Sequence, residues 1–519
     1  MTRIQWWCVL CAAMAMMVIG VFGCVEDDNA VPSEKLPGYY DTDVMINGSE
    51  PLFTVSDKFL SFAIDTSQVV GGNWWSADGE ATIGVGADEA EPFDFTRTRL
   101  RNMARELAPA YLRIGGTEAD KVFYDMQNQG LDEAPGKYEF VFTAQHLDSI
   151  AEFAQAMGFE IFFTLNAGPG PRDEGKWQPD NARELMTYTA QHHYPVTVWE
   201  FGNEMNGYLI NYFMTVRPKQ YTEDMTALVA LRNEITPGIP VAGPSPAFWP
   251  VIGEPFKVLE DYLRLGGHLF DIVTWHYYPQ QSKRCPITTL PARKGNALFA
   301  PFLNEAGNFA DTAGSYRDQY APNAEVWLGE TGNAQCGGAP GISDRFVAGF
   351  WWLDQLGLMA TKGHPVVVRQ TLAGSDYGMI NDETLNPNPD YWNSLLWKRL
   401  MGDRVLATSA EQSPVRLRHY AHCNPDGGGK VTVLLLNLDR ELSARVRLAD
   451  LGIAGAEAYL LTAPDLFGYE IKLNGELLKT DDDGTPPEFT SQKISGDFIE
   501  IPPTAYGFFV IDADVSACK

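Results

Sequence analysis

Basic residues are scarce in this chain. Lysine and arginine number 39 against 67 aspartates and glutamates, which leaves a net charge of −28 over 519 residues. Such a surface repels nucleic acid and other polyanions at long range, so no nucleic-acid partner is expected and any anionic ligand must be held by a local device. Beyond residue 24 no close Cys-x-x-Cys pair occurs, so the spacing of a structural metal site is missing, and neither metal nor cofactor is expected. Internal repeats and low-complexity runs are absent as well, which argues against solenoids and long disorder. The first apolar strand run is not followed by Gly-x-Gly-x-x-Gly, which counts against a dinucleotide-binding open sheet.

The composition is otherwise that of a globular protein, 45% hydrophobic and 20% charged. Its 13 Trp, 21 Tyr and 28 Phe suit sugar stacking and a large core equally well. The N-terminus reads as an export segment over residues 1–24, with Arg3 as the basic start and a nearly wholly apolar run from Trp6 to Val21. That run is too short to favour a permanent membrane span. Val21-Phe22-Gly23-Cys24 resembles a lipobox, which predicts a lipid on Cys24 and a chain anchored to a bacterial outer membrane or cell surface; an ordinary cleaved signal would leave it periplasmic or secreted. The acidic, proline-containing stretch 25–37 reads as a tether.

From Phe59 onward, short apolar runs alternate with amphipathic ones. Eight runs have strand character: Phe59 to Thr66, Ala110 to Gly116, Glu160 to Ala167, Thr197 to Glu204, Ile239 to Pro246, Ile272 to Tyr278, Ala324 to Thr331 and Val366 to Gly374. Helical patterns lie between them, and the last one stops at Gly402. This alternation predicts an α/β fold, a (β/α)8 TIM barrel over 56–402. After about Arg404 the period shortens to that of alternating strands with turn signals at Asn424 to Gly427 and Asp483-Gly484, which predicts an all-β sandwich over 403–519. Residues 38–55 are expected to lend the sandwich a strand.

A barrel does its chemistry at the C-terminal ends of its strands. Asp65, Thr117, Asn203, Glu204, Tyr278, Glu330 and Tyr377 all fall at or just past such ends. Two glutamates close apolar runs, Glu204 in VWEFGNE and Glu330 in VWLGE, and two carboxylates are what glycosidic-bond cleavage needs: one protonated to donate to the leaving oxygen, one ionised to attack or to activate water. Glu200 lies deeper in the barrel and is expected to pair with an inward arginine, Arg113 or Arg369. His276, inside the sixth strand, is read as a barrel histidine with satisfied ring nitrogens rather than as a metal ligand.

With the glutamates on the fourth and seventh strands, the motifs FLSFAID, YLRIGGTEAD, WEFGNE, VTWHYY, VWLGET with GGAP, AGFWWLDQLGL, VVVRQ, PDYW and FFVI resemble those of glycoside hydrolase family 79, the heparanases and β-glucuronidases. The resemblance implies Glu204 as general acid/base and Glu330 as nucleophile of a retaining mechanism. It implies that Asn203 holds the hydroxyl beside the reacting carbon, that Tyr278 orients Glu330, and that Asp65 and Thr117 contact sugar hydroxyls. A uronic-acid carboxylate would be held by backbone N–H groups of Cys336, Gly337 and Gly338 and by Tyr377, the local device that an acidic protein needs. The same resemblance implies a Cys423–Cys518 disulfide. Cys285 and Cys336 remain, both in loops on the catalytic face, where a bridge would clamp one loop to the other.

Departures from the family pattern bear on substrate. No basic residue occurs from Gly243 to Phe256, where heparanases that cut sulfated chains carry basic clusters, and the long excised linker of the animal enzymes is missing. These departures favour an exo-acting β-glucuronidase on uronic-acid-containing glycans or glucuronides. Endo-cleavage of heparan sulfate and a non-catalytic glycan-binding surface lipoprotein are the alternatives. Lys283, Arg284, Arg293 and Lys294 form one basic remnant after the sixth strand, read either as a cleft wall or as a solvated loop. Trp74-Trp75 and Phe248-Trp249 are read either as stacking walls or as core.

Overall fold

The structure is a computed structural model, and it describes residues 38–75, 88–410, 415–451 and 455–519. The export segment, Cys24 and the tether lie outside the described residues.

Eight parallel strands close into a barrel: β1 (Leu60–Asp65), β2 (Ala110–Gly115), β3 (Phe159–Leu165), β4 (Val196–Phe201), β5 (Val241–Phe248), β6 (Ile272–Tyr277), β7 (Glu325–Thr331) and β8 (Val367–Arg369). They pair in chain order, and β8 closes on β1. Each expected strand is present; most ends match or are trimmed, by up to five residues at the end of β8, while β3 and β4 begin one residue earlier and β5 ends two residues later than expected. Buried on both faces, these strands read as near-continuous apolar runs. Eight longer helices follow the strands in turn: α1 (Thr98–Arg105), α2 (Ala144–Met157), α3 (Asp180–Gln191), α4 (Pro218–Ile235), α5 (Val258–Gly266), α6 (Ala300–Tyr320), α7 (Ala348–Thr361) and α8 (Pro389–Leu400).

The barrel floor is apolar: Ala63, Phe162, Val198, Ala242, Ile272, Trp327, Val366 and Val368 form one cluster. One inward step along the strands, Phe162 gives way to Thr164 and Val198 to Glu200, and the interior turns polar. Strict alternation on β7 would turn Glu330 outward, because Trp327 already points in. A register shift in the β6–β7 ladder between Trp275 and His276 sets His276 opposite Glu330 and re-aims that side chain inward.

Residues beyond Arg404 form antiparallel strands in two sheets. In the larger sheet the strand Lys430–Asn437 lies between Leu417–Cys423 and Ala505–Asp512. Its continuous run KVTVLLLN is buried on both faces, with Val431, Val433 and Leu435 in the sandwich core and Leu434 and Leu436 in the core shared with the barrel helices. The strand Tyr39–Ile46 pairs in parallel with Ser443–Leu448 in the smaller sheet. Arg418 and Tyr420 reach from the larger sheet to the buried carboxylate of Asp354 on α7, at 2.5 and 2.7 Å. A disulfide joins Cys423 to Cys518 and ties the C-terminus to the sandwich. Among the described residues no helix is long and apolar enough to cross a membrane.

Candidate active site

Three strand ends deliver the central groups. β4 stops at Phe201, and the chain turns through Gly202 (φ 76°) and Glu204 (φ 48°), both left-handed. A side chain at Gly202 would meet the Met205 sulfur at 2.6 Å and the Tyr208 hydroxyl at 2.8 Å, so only glycine fits the turn. Glu204 therefore lies past the strand, on a turn fixed by its own N–H donated to the Ser245 carbonyl (3.0 Å) and by Asn203 N–H donated to Asp120 (2.9 Å). β7 delivers Glu330, buried at 6% exposure. β6 delivers His276, and Tyr278 follows one residue after the strand.

The carboxylate oxygens of Glu204 and Glu330 and a ring nitrogen of His276 lie within 4.8 Å of one another. Glu330 accepts two hydrogen bonds, from the Tyr278 hydroxyl at 2.7 Å and from Arg113 Nη1 at 2.6 Å. Burial pushes its pKa up, but the His276 ring, the Arg113 guanidinium and the two hydrogen bonds outweigh that, so the group is held below the ordinary glutamate value. Glu330 is thus kept ionised in a site that would otherwise neutralise it.

Arg113 is the hub. It is fully buried, and its Nε donates to Glu200 at 2.9 Å, Nη1 to Glu330 and Nη2 to the Asn203 Oδ1 at 2.9 Å. Glu200 receives further donors from Thr164 and Ser245, each at 2.5 Å. Of the two arginines expected as its partner, Arg113 is the one; Arg369 pairs instead with Asp390 at 2.9 Å. Because Arg113 occupies Asn203 Oδ1, the Asn203 amide nitrogen is left to donate outward. The fork of one arginine so couples β2, β4 and β7, a role the sequence reading did not assign.

His276 corrects another reading. Its Nδ1 lies 3.3 Å from Glu204 and 3.9 Å from Glu330, while its buried Nε2 has no partner among the described residues. It is a constituent of the carboxylate pair's surroundings and not a histidine satisfied within the barrel wall. The register match of His276 with Glu330 was the available signal, but it depends on the bulge.

The remaining residues fall around this centre unevenly. Asp65 caps the short helix Thr66–Val70 through Ser67 N–H (3.0 Å) and accepts from Gln370 (3.0 Å); burial raises its carboxyl to about 7. Thr117 heads the turn after β2, and its carbonyl accepts from Tyr212 at 2.8 Å. Tyr377 is buried and packs with Tyr278 and Trp74 in one small aromatic cluster, so Trp74 stands at the site; Phe248 instead packs in the core against Trp275 and Phe309. Cys336, Gly337 and Gly338 all have left-handed backbones (φ 63°, 81° and 85°). Gly338 N–H is already donated to the Ala334 carbonyl at 3.0 Å, so it is not free for a ligand as the sequence reading had it. A disulfide links Cys336 to Cys285. Of the basic remnant, Arg284 is buried and Lys294 stands over the Phe467 ring at 4.7 Å, while Lys283 and Arg293 are exposed.

Comparison with known proteins fixes the lineage. The profile of the glycosyl hydrolase family 79 N-terminal domain matches residues 41–357. The chain belongs to that family. Mouse heparanase is 31% identical over 90% of this chain and 92% of its own length. Baicalin-β-D-glucuronidase of Scutellaria baicalensis is 29% identical over 82% of this chain and 85% of its own. Human inactive heparanase-2 is 26% identical over 95% and 93%. In fold, the family 79 chain is similar to the family 51 arabinofuranosidase from Xanthomonas axonopodis pv. citri, with a TM-score of 0.65 at 14% identity, covering 91% of this chain and 100% of that one.

Proposed function

We propose that this family 79 chain is a retaining, exo-acting β-glucuronidase. The observation that carries the reading is the approach of the Glu204 and Glu330 carboxylates to within 4.8 Å, with Glu330 held ionised by Arg113 and Tyr278. Retaining glycosidases hold their carboxyl groups about 5–5.5 Å apart, whereas inverting enzymes need about 6.5–9.5 Å to admit a water between them. The similarity to mouse heparanase and to the Scutellaria glucuronidase supports a β-linked glucuronic acid as the sugar.

In this mechanism Glu330 attacks the anomeric carbon while Glu204 gives its proton to the departing oxygen, so the glycosidic C–O bond breaks as the glycosyl–Glu330 ester forms. Glu204, now ionised, takes a proton from water; that water attacks the same carbon, and Glu330 leaves with net retention. Asn203 Nδ2 faces the neighbouring sugar hydroxyl. The N–H groups of Cys336 and Gly337, with Tyr377, receive the uronate carboxylate. Lack of basic residues from Gly243 to Phe256 favours short glucuronides over sulfated chains.

Two other readings have their own support. Endo-cleavage of heparan sulfate draws on the heparanase similarity, and a glycan-binding role without catalysis draws on inactive heparanase-2. Incubation with a chromogenic β-glucuronide, with the first-formed anomer read by NMR, separates them: β-glucuronic acid is expected first. An α-anomer overturns retention, no hydrolysis supports the binding reading, and release of oligosaccharides from heparan sulfate without free glucuronate supports the endo reading. We further propose a lipid on Cys24, which mass spectrometry of the exported protein tests; an unmodified mature N-terminus elsewhere overturns it.

A further inference from the structure

The loop that follows β7 is tied down from both sides at one point. Its Gly337 carbonyl accepts from Asp376 N–H at 2.9 Å and from the Ser375 hydroxyl at 2.7 Å, both in the loop after β8. Its Gly338 carbonyl accepts from Arg284 Nη1 at 3.1 Å, and Arg284 Nη2 reaches Asp376 Oδ2 at 2.6 Å. Arg284 belongs to the loop after β6 and is 3% exposed. Beside it, Cys285 is bonded to Cys336, while Ser282 N–H donates to the Gln335 carbonyl (3.1 Å) and Gln335 N–H to the Gln280 carbonyl (2.9 Å). One guanidinium and one disulfide therefore join the loops after β6, β7 and β8.

The anchoring has a direction. The carbonyls of Gly337 and Gly338 and the N–H of Gly338 are all engaged, whereas the N–H groups of Cys336 and Gly337 meet no acceptor among the described residues. Left-handed backbone at Cys336 is strained for a residue with a side chain and persists only where the surroundings over-determine it. Trp75 closes the remaining side, since a side chain at Gly337 would meet its Cβ at 2.3 Å. An arginine taken out of water at this cost needs both its carboxylate and its carbonyl. The ion pair also balances the Asp376 charge one residue before Tyr377.

We propose that Arg284, with the Cys285–Cys336 bond beside it, is a positioning residue for uronate recognition: it holds the Gly337–Gly338 backbone so that the free amides face the sugar carboxylate. This rests on the reading of that loop as the carboxylate site. It predicts selective loss of uronate binding, with the glutamate pair left intact.

The test measures kcat and KM for a chromogenic β-glucuronide, together with Ki for free glucuronate and for xylose, which has the same ring without the carboxylate. Arg284→Met is expected to raise KM and the glucuronate Ki by about tenfold, equivalent to about 1.4 kcal/mol, with kcat and the xylose Ki within about twofold. Arg284→Lys keeps the charge but cannot span Gly338 and Asp376 together, and falls between. Where Arg284→Met does not fold, Cys285→Ser with Cys336→Ser carries the same split. Unchanged KM and glucuronate Ki, or an equal loss across kcat and both inhibitors, overturns the positioning role. A wild-type protein that binds xylose as tightly as glucuronate, or leaves the glucuronide intact, overturns the carboxylate reading instead.

Discussion

The polar layer of the barrel and the core of the sandwich are built by opposite means. The sandwich core is Val44, Ile46, Val431, Val433, Leu435, Val446, Phe509, Ile511 and their neighbours, apolar but for the uncharged Thr42 and Asn437, and closed by the Cys423–Cys518 bond. The barrel layer holds Arg113, Glu200, Glu330 and His276, all buried, and its rim uses left-handed backbone at Glu204, Ser245 and Cys336. Burying charge costs more than packing apolar groups can, and replacing such a cluster by hydrophobic residues is often stabilising. The difference shows where stability has been spent on chemistry: the sandwich is optimised to fold, and the barrel layer is held in place by its surroundings.

The sharpest way to break the contrast is at Glu330. Glu330→Gly should lower turnover by on the order of 10⁶-fold, as loss of the covalent nucleophile does in a serine protease, and external azide should restore turnover as the inverted glycosyl azide. Wild-type-like turnover in Glu330→Gln would remove the assignment. Next comes Arg113→Met, which strands Glu200 and Glu330 without their cation; a loss of about 3–5 kcal/mol is expected in denaturant melts, with activity falling as well. Cys423→Ser with Cys518→Ser tests the other region alone. It should cost about 2–5 kcal/mol while kcat per folded molecule is retained.

The smallest effect is on pH. Burial lifts Asp65 and Asp120 in the fold to about 7, far above their unfolded values. Between the unfolded aspartate range and about pH 7 the folded chain therefore binds more protons than the unfolded one, and stability falls as pH rises through that window. Glu330 works the other way, since its depressed folded pKa supplies stability that is lost only as pH drops through it. The two aspartates should accordingly contribute a fall in thermal stability from pH 5 to pH 7.5, opposed by His364, His419 and His422, which burial holds at about 3, 4 and 4 and which favour folding less as pH drops below the ordinary histidine range. Asp120→Asn should flatten the aspartate contribution over that interval; a slope unchanged by the substitution would count against the buried, proton-holding state of Asp120.

Much of this was legible from residue order. The eight strands, their helices and the later change of period follow from local patterning, and Glu204 and Glu330 fall at strand ends for the same reason. Parity along β4 already points Glu200 inward. Parity does not name its partner: alternation with the inward Val366 and Val368 turns Arg369 out toward Trp351, Trp352 and Asp390, but that Glu200 meets Arg113, two strands away, is decided only by barrel closure. The same limit hid the His276 contact, which arises from a bulge that no local propensity signals. It also hid the use of Gly338 N–H, since a loop's hydrogen bonds are set by what packs against it.

The sequence by itself determined the barrel, the later strands and the two carboxylates, because hydrophobic period and strand-end position are properties of neighbours in the chain. Only the tertiary structure decided that one arginine serves Glu200, Glu330 and Asn203 together, and that the loop after β7 is held by Arg284 and Cys285. These contacts join residues 87, 217, 90, 54 and 51 positions apart. Their geometry exists only after the barrel closes, when inward side chains from separate strands share one low-dielectric space and must satisfy one another.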